Sequence, residues 1–537
     1  MVIAFLDSCA KSNLLNNNIP EAAKPRKKFY ITTPIYYPNR PPHIGSGYTT
    51  VVADILARYY KSLGYEVYFL TGTDEHGMKL YKEAINKGTS PREFVDAMVP
   101  FFKRAWEALD IEYSRFIRTT DPDHEETVKE IMMKVYEKGD VYEDKYKGLY
   151  CVECERYYTL KDLIEGRICP IHLKPTEYLE MEVYFFRLSK YKDALIRLFK
   201  ENDKFVLPEE KKQYLISEIE SEGLKDVAIT RPKWYLPWGI ECPWDKNHVL
   251  YVWVDALLNY VSGIGYVSAP DVFRKFWPPD LQLIGKDILW FHAVIWPALL
   301  LSAGLEIPRT IFTHGFLTVD GKKISKSLGT DIDPVDLVKK YGSDTVRYYL
   351  ARAIEFGEDG DFSESDLIRY HNNELVNEIG NLFYRVLSLA DRYFGGIVPE
   401  SPGLSNIDEE FLNTLERLLR EYNECIEELR IHHAAMRIVM FAQTINAYIN
   451  KTEPWSHWKK GDKEAVARIV KNCLDWIYVL NAIIYPFMPR AADKIAKQLG
   501  LEYIPRLCDI RLIGNLNPGH KLGEKTVLFS KIQTYTN

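Results

Sequence analysis

The chain has 537 residues, 46% of them hydrophobic, which is enough to bury several cores, so roughly three or four domains are expected. A formal net charge of -6 gives no bulk support for nucleic-acid binding, and any RNA contact must come from local basic patches. No apolar run reaches the length of a transmembrane helix, which excludes a membrane-spanning chain of that kind.

The first ten residues are fairly apolar but carry Asp7, lack a basic start and are short, so no signal peptide is expected there. Residues 11–28 are Asn-rich and then basic (Lys24, Arg26, Lys27, Lys28), and residues 1–27 read as a flexible arm on a cytoplasmic protein. Residues 28–33 form an aromatic and β-branched run, expected to be the first strand. Residues 34–42 hold four prolines and are expected to be an irregular loop. A helix is expected over 48–63, where Val51, Val52, Ile55, Leu56 and Tyr59 share one face and Gly64 serves as its C-cap. A second strand over 65–70 leads into Thr71-Gly72-Thr73-Asp74-Glu75-His76-Gly77. Strand, helix and strand make a βαβ unit, with functional residues at the carboxyl ends of strands.

Residues 119–230 break this rhythm and read as an insertion. The α/β pattern returns with strands expected over 249–254, 280–284 and 309–314 and a helix over 287–303. From Glu374 helical patterns dominate: Leu375, Ile379, Leu382, Val386 and Leu389 step by four and three along a buried stripe.

Two motifs carry chemistry. His43-Ile44-Gly45-Ser46 sits where strand hands over to helix, and there unpaired helix N–H groups attract phosphate. Gly45 and Gly47 let the backbone approach a nucleotide closely, and His43 can donate a hydrogen bond as charge builds at the α-phosphorus. Gly321-Lys322-Lys323-Ile324-Ser325-Lys326-Ser327-Leu328-Gly329 is a loop whose lysines can offset charge on departing pyrophosphate. Taken alone, the first motif is more often a plain turn glycine with a surface histidine, and the second more often a solvated basic loop or a phosphorylation site.

Together and in this order the pair resembles the HIGH and KMSKS signatures of class I aminoacyl-tRNA synthetases, and the surrounding residues resemble the methionyl-tRNA synthetase family from about Phe29 onward. Ser46 stands where the family has a second His. Losing one charge-assisted donor costs about 1–3 kcal/mol, so the expected effect is a slower enzyme. Ile324 stands where the family has Met, a volume-conserving exchange.

The resemblance implies an α/β Rossmann-type catalytic domain (28–118 and 231–317), a connective insertion (119–230) with a zinc knuckle, a stem-contact region (318–370) holding the KMSKS loop, and an all-helical anticodon-binding domain (371–537). It implies a methionine site of Ile35, Tyr37, Asp74, Trp253, Ala256, Tyr260, Phe291, His292 and Trp296, with Asp74 on the substrate ammonium. Aromatic walls suit a thioether. It implies an ATP site of His43, Gly45, Ser46, Asp287, His314, Lys323, Lys326 and Arg231, with His43, Lys323 and Lys326 acting in catalysis. Asn381, Arg385 and Trp455 match residues that read the CAU anticodon, for which an aromatic plate and polar groups suit unstacked bases.

Cys151-x2-Cys154 followed by Cys169-x2-His172 suits a tetrahedral structural Zn²⁺, with a disulfide or free thiols as the alternatives. The expected function is methionine–tRNA ligation using ATP and Mg²⁺, with L-methionine and tRNA(Met) as partners and the oligomeric state open. The rivals are a catalytically silent tRNA-binding protein of the same fold, motivated by Ser46, and another class I synthetase.

Overall fold

The computed structural model describes residues 27–151, 156–158, 160–165, 167–171, 173–324 and 329–533. The arm expected over residues 1–27 lies outside them but for residue 27, as do Cys154, His172 and Lys326.

The strands in chain order are β1 (Lys28–Tyr36), β2 (Glu66–Thr73), β3 (Arg115–Arg118), β4 (Val141–Cys151), β5 (Arg156–Tyr158), β6 (Glu177–Phe186), β7 (Val206–Leu207), β8 (Val227–Ala228), β9 (Thr230–Pro232), β10 (His248–Leu250), β11 (Leu281–Gly285), β12 (Ile311–His314), β13 (Leu317–Val319), β14 (Lys322–Lys323) and β15 (Gly360–Phe362). Six of them form one parallel sheet in the order β3-β2-β1-β11-β12-β7. Side chains alternate across it. Ile31, Phe69, Leu281, Leu283 and Phe312 enter one core, while Tyr30, Leu70, Ile284 and Ile311 enter the other. At Gly72 a Cβ would lie 1.9 Å from the Ile117 carbonyl oxygen, so only glycine lets β2 and β3 pair this closely.

Strand β1 continues through Pro34 to Tyr36, past the expected loop start. A register shift between Thr32 and Ile35 absorbs the proline, which has no N–H to give the ladder. The first helix spans Ile44–Ser62, four residues earlier than the apolar pattern begins, with His43 as its N-cap. Leu63 is its C-cap, and Gly64 follows at a φ of 83°.

The strand expected over 249–254 is half helix. β10 ends at Leu250 and a helix runs Val252–Leu257. Burial of Asp255 against two histidines overrides the β-propensity of this run. The helix expected over 287–303 is a 3-10 turn (Lys286–Ile288), a π-turn (Phe291–Ile295) and an α-helix (Trp296–Ala303). Pro297 lacks an N–H for the Ala293 carbonyl, and the turn before it widens, with Trp296 N–H bonded to Phe291 O.

Within residues 119–230, strands β5-β4-β6-β8 form an antiparallel sheet, whereas β7 joins the edge of the parallel sheet. Helix Glu364–Tyr370, a π-helical stretch His371–Gly380 and helix Asn381–Phe394 follow without a break. Long helices Asn406–Glu427, Ile431–Thr452 and Lys463–Ile484 pack behind them. Leu375, Ile379, Leu382 and Val386 are fully buried there, as the stripe requires, while Leu389 is half-buried.

One buried ion pair ties the layers together. Arg347 Nη2 lies 2.7 Å from Asp54 Oδ2 of the first helix, and the same guanidinium donates to Leu109 O, Pro486 O and Phe487 O. No helix among the described residues is long and apolar enough to cross a membrane.

Candidate active site

The two motifs 280 residues apart meet at the carboxyl edge of the parallel sheet. Ile324 is buried, and its Cδ1 lies 3.3 Å from where a Cβ on Gly45 would sit. The return of the lysine loop is pinned by Ile44 N–H donating to Ile332 O at 3.0 Å. Lys323 sits exposed on β14, a short hairpin partner of β13. Desolvation in its 3-10 turn raises the pKa of the Asp287 carboxyl, against the opposing pull of its own and the Ile288 backbone N–H and then of Lys286 and Lys323.

His43 Nδ1 accepts the Gly45 N–H at 3.1 Å. That bond needs an unprotonated Nδ1, so the proton of the neutral ring sits on Nε2, where it can be donated outward. Burial, then the nearby Arg40, lowers its pKa to about 4 against the pull of Asp331. His43 is therefore a neutral donor rather than a cation. A Cβ on Gly45 would meet the His43 ring at 2.9 Å, so this glycine sets the ring's position. Ser46 is half-buried, and its carbonyl accepts from Tyr36 and Thr50.

Two residues expected at the nucleotide are turned inward. His314 donates from Nδ1 to Gly315 O and accepts the Thr49 hydroxyl at Nε2, both at 2.8 Å, so both ring nitrogens are engaged. Arg231 is 2% exposed, donates to the carbonyls of Ala228 and Thr230, and lies over the Tyr251 ring at 4.3 Å.

The nine residues expected around methionine come from β1 (Ile35) and the residue after it (Tyr37), the loop after β2 (Asp74), helix Val252–Leu257 (Trp253, Ala256), helix Asn259–Ser262 (Tyr260), the π-turn (Phe291, His292) and the helix that follows it (Trp296). Tyr260, His292 and Trp296 are buried against one another as a floor, Ala256 is buried one turn before Tyr260, and Ile35, Tyr37, Trp253 and Phe291 pack half-buried as a rim. Trp253 stacks on Phe291 with centroids 3.9 Å apart. His292 donates from Nδ1 to Ile288 O, leaving Nε2 to accept the Tyr260 hydroxyl at 2.8 Å, and burial lowers its pKa to about 4. Trp296 donates to Gln282 at 3.1 Å. The floor is thus uncharged, which suits a thioether. Asp74 is half-buried on the loop leaving β2, its N–H donating to Tyr36 O.

A buried polar network holds these walls. Asp255, between Trp253 and Ala256, accepts from His76 Nδ1 and His124 Nε2, both at 2.7 Å. Burial alone would lower the pKa of His76, but Asp255 overrides it and raises the value; burial would raise that of Asp255, but the two histidines lower it. Tyr37 donates to His76 O, so one carboxylate joins three pocket segments. Glu75 is fully buried and accepts from Thr73, Arg118 and Thr120. Sequence reasoning assigned none of these. The available signal was Asp255 itself, a carboxylate inside an apolar run that must find partners once buried.

In the insertion, Cys151 and Cys169 are buried in one small cluster with Tyr158 and Leu163, and Cys169 donates to the Tyr158 hydroxyl at 3.6 Å. In the helical region, Arg385 donates to Asn450 at 2.7 Å and lies 5.6 Å over the Trp455 ring. Asn381 is exposed one turn earlier on the same helix.

The family model for class I tRNA synthetases (M) matches residues 29–177 and 160–387, and that for the anticodon binding domain of methionyl tRNA ligase matches 398–536. The chain belongs to the methionyl-tRNA synthetase family. A methionine–tRNA ligase of Thermotoga maritima is 44% identical over 512 residues, covering 94% of this chain and 80% of that protein. One from a Nostoc species is 42% identical over 96% of this chain and 99% of its own length. A Mycobacterium tuberculosis methionyl-tRNA synthetase solved with methionyl-adenylate superposes with a TM-score of 0.89 at 38% identity, covering 94% of this chain and 99% of that one.

Proposed function

We propose that this chain is a methionine–tRNA ligase. The observation that carries the reading is the meeting of His43-Ile44-Gly45 with Ile324 beside an uncharged aromatic pocket. In the first step a carboxylate oxygen of methionine attacks the α-phosphorus of ATP, the bond to the bridging oxygen breaks, and pyrophosphate leaves. In the second, the terminal adenosine hydroxyl of tRNA takes the methionyl group and AMP departs. No protein nucleophile is required; the chain positions reactants and stabilises charge.

In this reading the Nε2–H of His43 donates to the α-phosphate as charge develops, and the helix it caps contributes the positive end of its dipole, its Ile44 and Gly45 N–H groups being already bonded to Ile332 O and His43 Nδ1. Lys323 and Lys326 offset charge on pyrophosphate, which enters as part of the Mg²⁺ complex of ATP. Asp74 takes the methionine ammonium, and Tyr260 and His292 face the thioether. His314 and Arg231 act from behind, His314 by fixing the first helix through Thr49 and Arg231 by lying over both Tyr150 of the insertion and Tyr251 of the catalytic body. Asn381, Arg385 and Trp455 meet the anticodon.

Zn²⁺ suits Cys151, Cys154, Cys169 and His172: two of these thiols already share a small buried cluster with Tyr158 and Leu163. Bound there, the metal supplies folding energy rather than chemistry.

The test is charging of a tRNA(Met) transcript with labelled methionine, resolved on an acid gel. Methionyl-tRNA that forms only with ATP present supports the reading. A protein that binds the transcript and forms neither adenylate nor methionyl-tRNA would leave the silent tRNA-binding reading in its place.

A further inference from the structure

Helix Asn381–Phe394 buries Leu382, Phe383, Val386 and Leu387 and turns Asn381, Tyr384, Arg385 and Ser388 outward at positions i, i+3, i+4 and i+7. Tyr384 stands out on this face. It is 46% exposed, although aromatic residues on this helix otherwise pack inward. Its backbone is fixed by Ser388 donating to its carbonyl at 2.7 Å.

The C-terminal tail, from 140 residues away, lays Lys525 over this ring. The Lys525 ammonium lies 5.4 Å from the ring centroid and 3.4 Å from Asp391, two turns along the same helix. The lysine side chain keeps 32% of its surface exposed, so the charge is held in place but open to solvent. Arg385, the next residue after Tyr384, lies over Trp455. One continuous strip therefore offers Trp455, Arg385, Asn381, Tyr384 and Lys525.

We propose that Tyr384 and Lys525 form a second stacking platform for tRNA, taking an unstacked anticodon-loop nucleotide outside those read by Asn381, Arg385 and Trp455. The inference rests on the anticodon reading of that face and extends it. The face of the ring that Lys525 does not cover accepts the face of any base, and Lys525, whose charge is shared with Asp391, takes the flanking phosphate. A strip with two aromatic plates and two cations matches single-stranded RNA better than an acidic or apolar partner. The tail accordingly serves binding as well as packing.

The test measures binding of a tRNA(Met) transcript to full-length protein with Tyr384→Ala, Tyr384→Phe, Lys525→Ala and, as reference, Trp455→Ala. Thermal melting verifies that each variant is folded. Tyr384→Ala is expected to weaken binding about tenfold, and Tyr384→Phe to restore it to within about twofold, because stacking needs the ring and not the hydroxyl. Lys525→Ala is expected to reduce the slope of log affinity against log salt by about 0.7, the value for one single-strand phosphate. Wild-type binding by Tyr384→Ala, with Trp455→Ala weakened, overturns the inference and leaves the anticodon reading intact. Wild-type binding by both variants overturns the anticodon reading and the inference together.

Discussion

Replacing Asp255 with asparagine keeps the side-chain shape and removes the charge that two histidines face. Asp255 is fully buried and accepts from His76 and His124 at 2.7 Å each. Charge-assisted bonds are worth about 1.5–3 kcal/mol apiece, and an amide can still accept one neutral bond, so the net loss is about 2–4 kcal/mol. The strain falls on the pocket, because Trp253 and Ala256 flank Asp255 and Tyr37 hangs on the His76 carbonyl. Taken wholly from the methionine transition state, that loss lowers kcat/KM for methionine by roughly 30- to 900-fold. The assay is ATP–pyrophosphate exchange with methionine and ATP varied in turn. KM for ATP is expected to stay within about twofold, since His43 and Lys323 rest on other elements. Unchanged kcat/KM for methionine, or equal losses for both substrates, would refute the claim that this carboxylate organises the pocket.

His43, with a pKa near 4, stays neutral throughout the working range. The ratio of wild-type to His43→Gln exchange rates is therefore expected to be flat from about pH 5.5 to 8.5, and a unit-slope change near the ordinary histidine value would contradict the neutral-donor role. His76 behaves oppositely. Its folded pKa is raised, so its pairing with Asp255 is fully present below the unfolded value and is lost as pH rises through the folded one. Denaturant titrations read by pocket tryptophan fluorescence are expected to show that loss in wild type and not in His76→Gln. Lys323→Ala is expected to lower kcat of exchange about a hundredfold with methionine affinity kept, as measured by isothermal titration; a change in affinity alone would move Lys323 out of the chemistry. Purification without chelators is expected to yield one zinc per chain by atomic emission, lost in Cys169→Ser, whereas metal-free folded protein would exclude the knuckle.

The parallel sheet and the buried helical stripe were legible because period is a local property: β-branched runs end in functional loops, and Leu375 to Val386 repeat on one face. The motif pair was legible because phosphate chemistry demands glycine, histidine and lysine in sequence-local turns. What escaped depends on partners far along the chain. Residues 249–254 look like a strand, yet Asp255 must reach His76 and His124, and helix is what delivers it. The π-turn before Pro297 needed the proline's missing N–H to be counted against the Ala293 carbonyl. His314 reads as a ligand by position, but Thr49 and Gly315 take both nitrogens, a pairing no spacing rule reveals. Val206–Leu207, inside the expected insertion, completes the catalytic sheet because two residues suffice for an edge ladder and are too few to show periodicity.

The central claim, that this cleft activates methionine, is tested most directly by ATP–pyrophosphate exchange run separately with each amino acid. Exchange with methionine well above every other amino acid is the predicted result, and it would show that Ser46 is tolerated in place of a second histidine. Exchange with a different amino acid would contradict the pocket built from Trp253, Tyr260, His292 and Trp296, and no exchange from folded protein would contradict the activity itself.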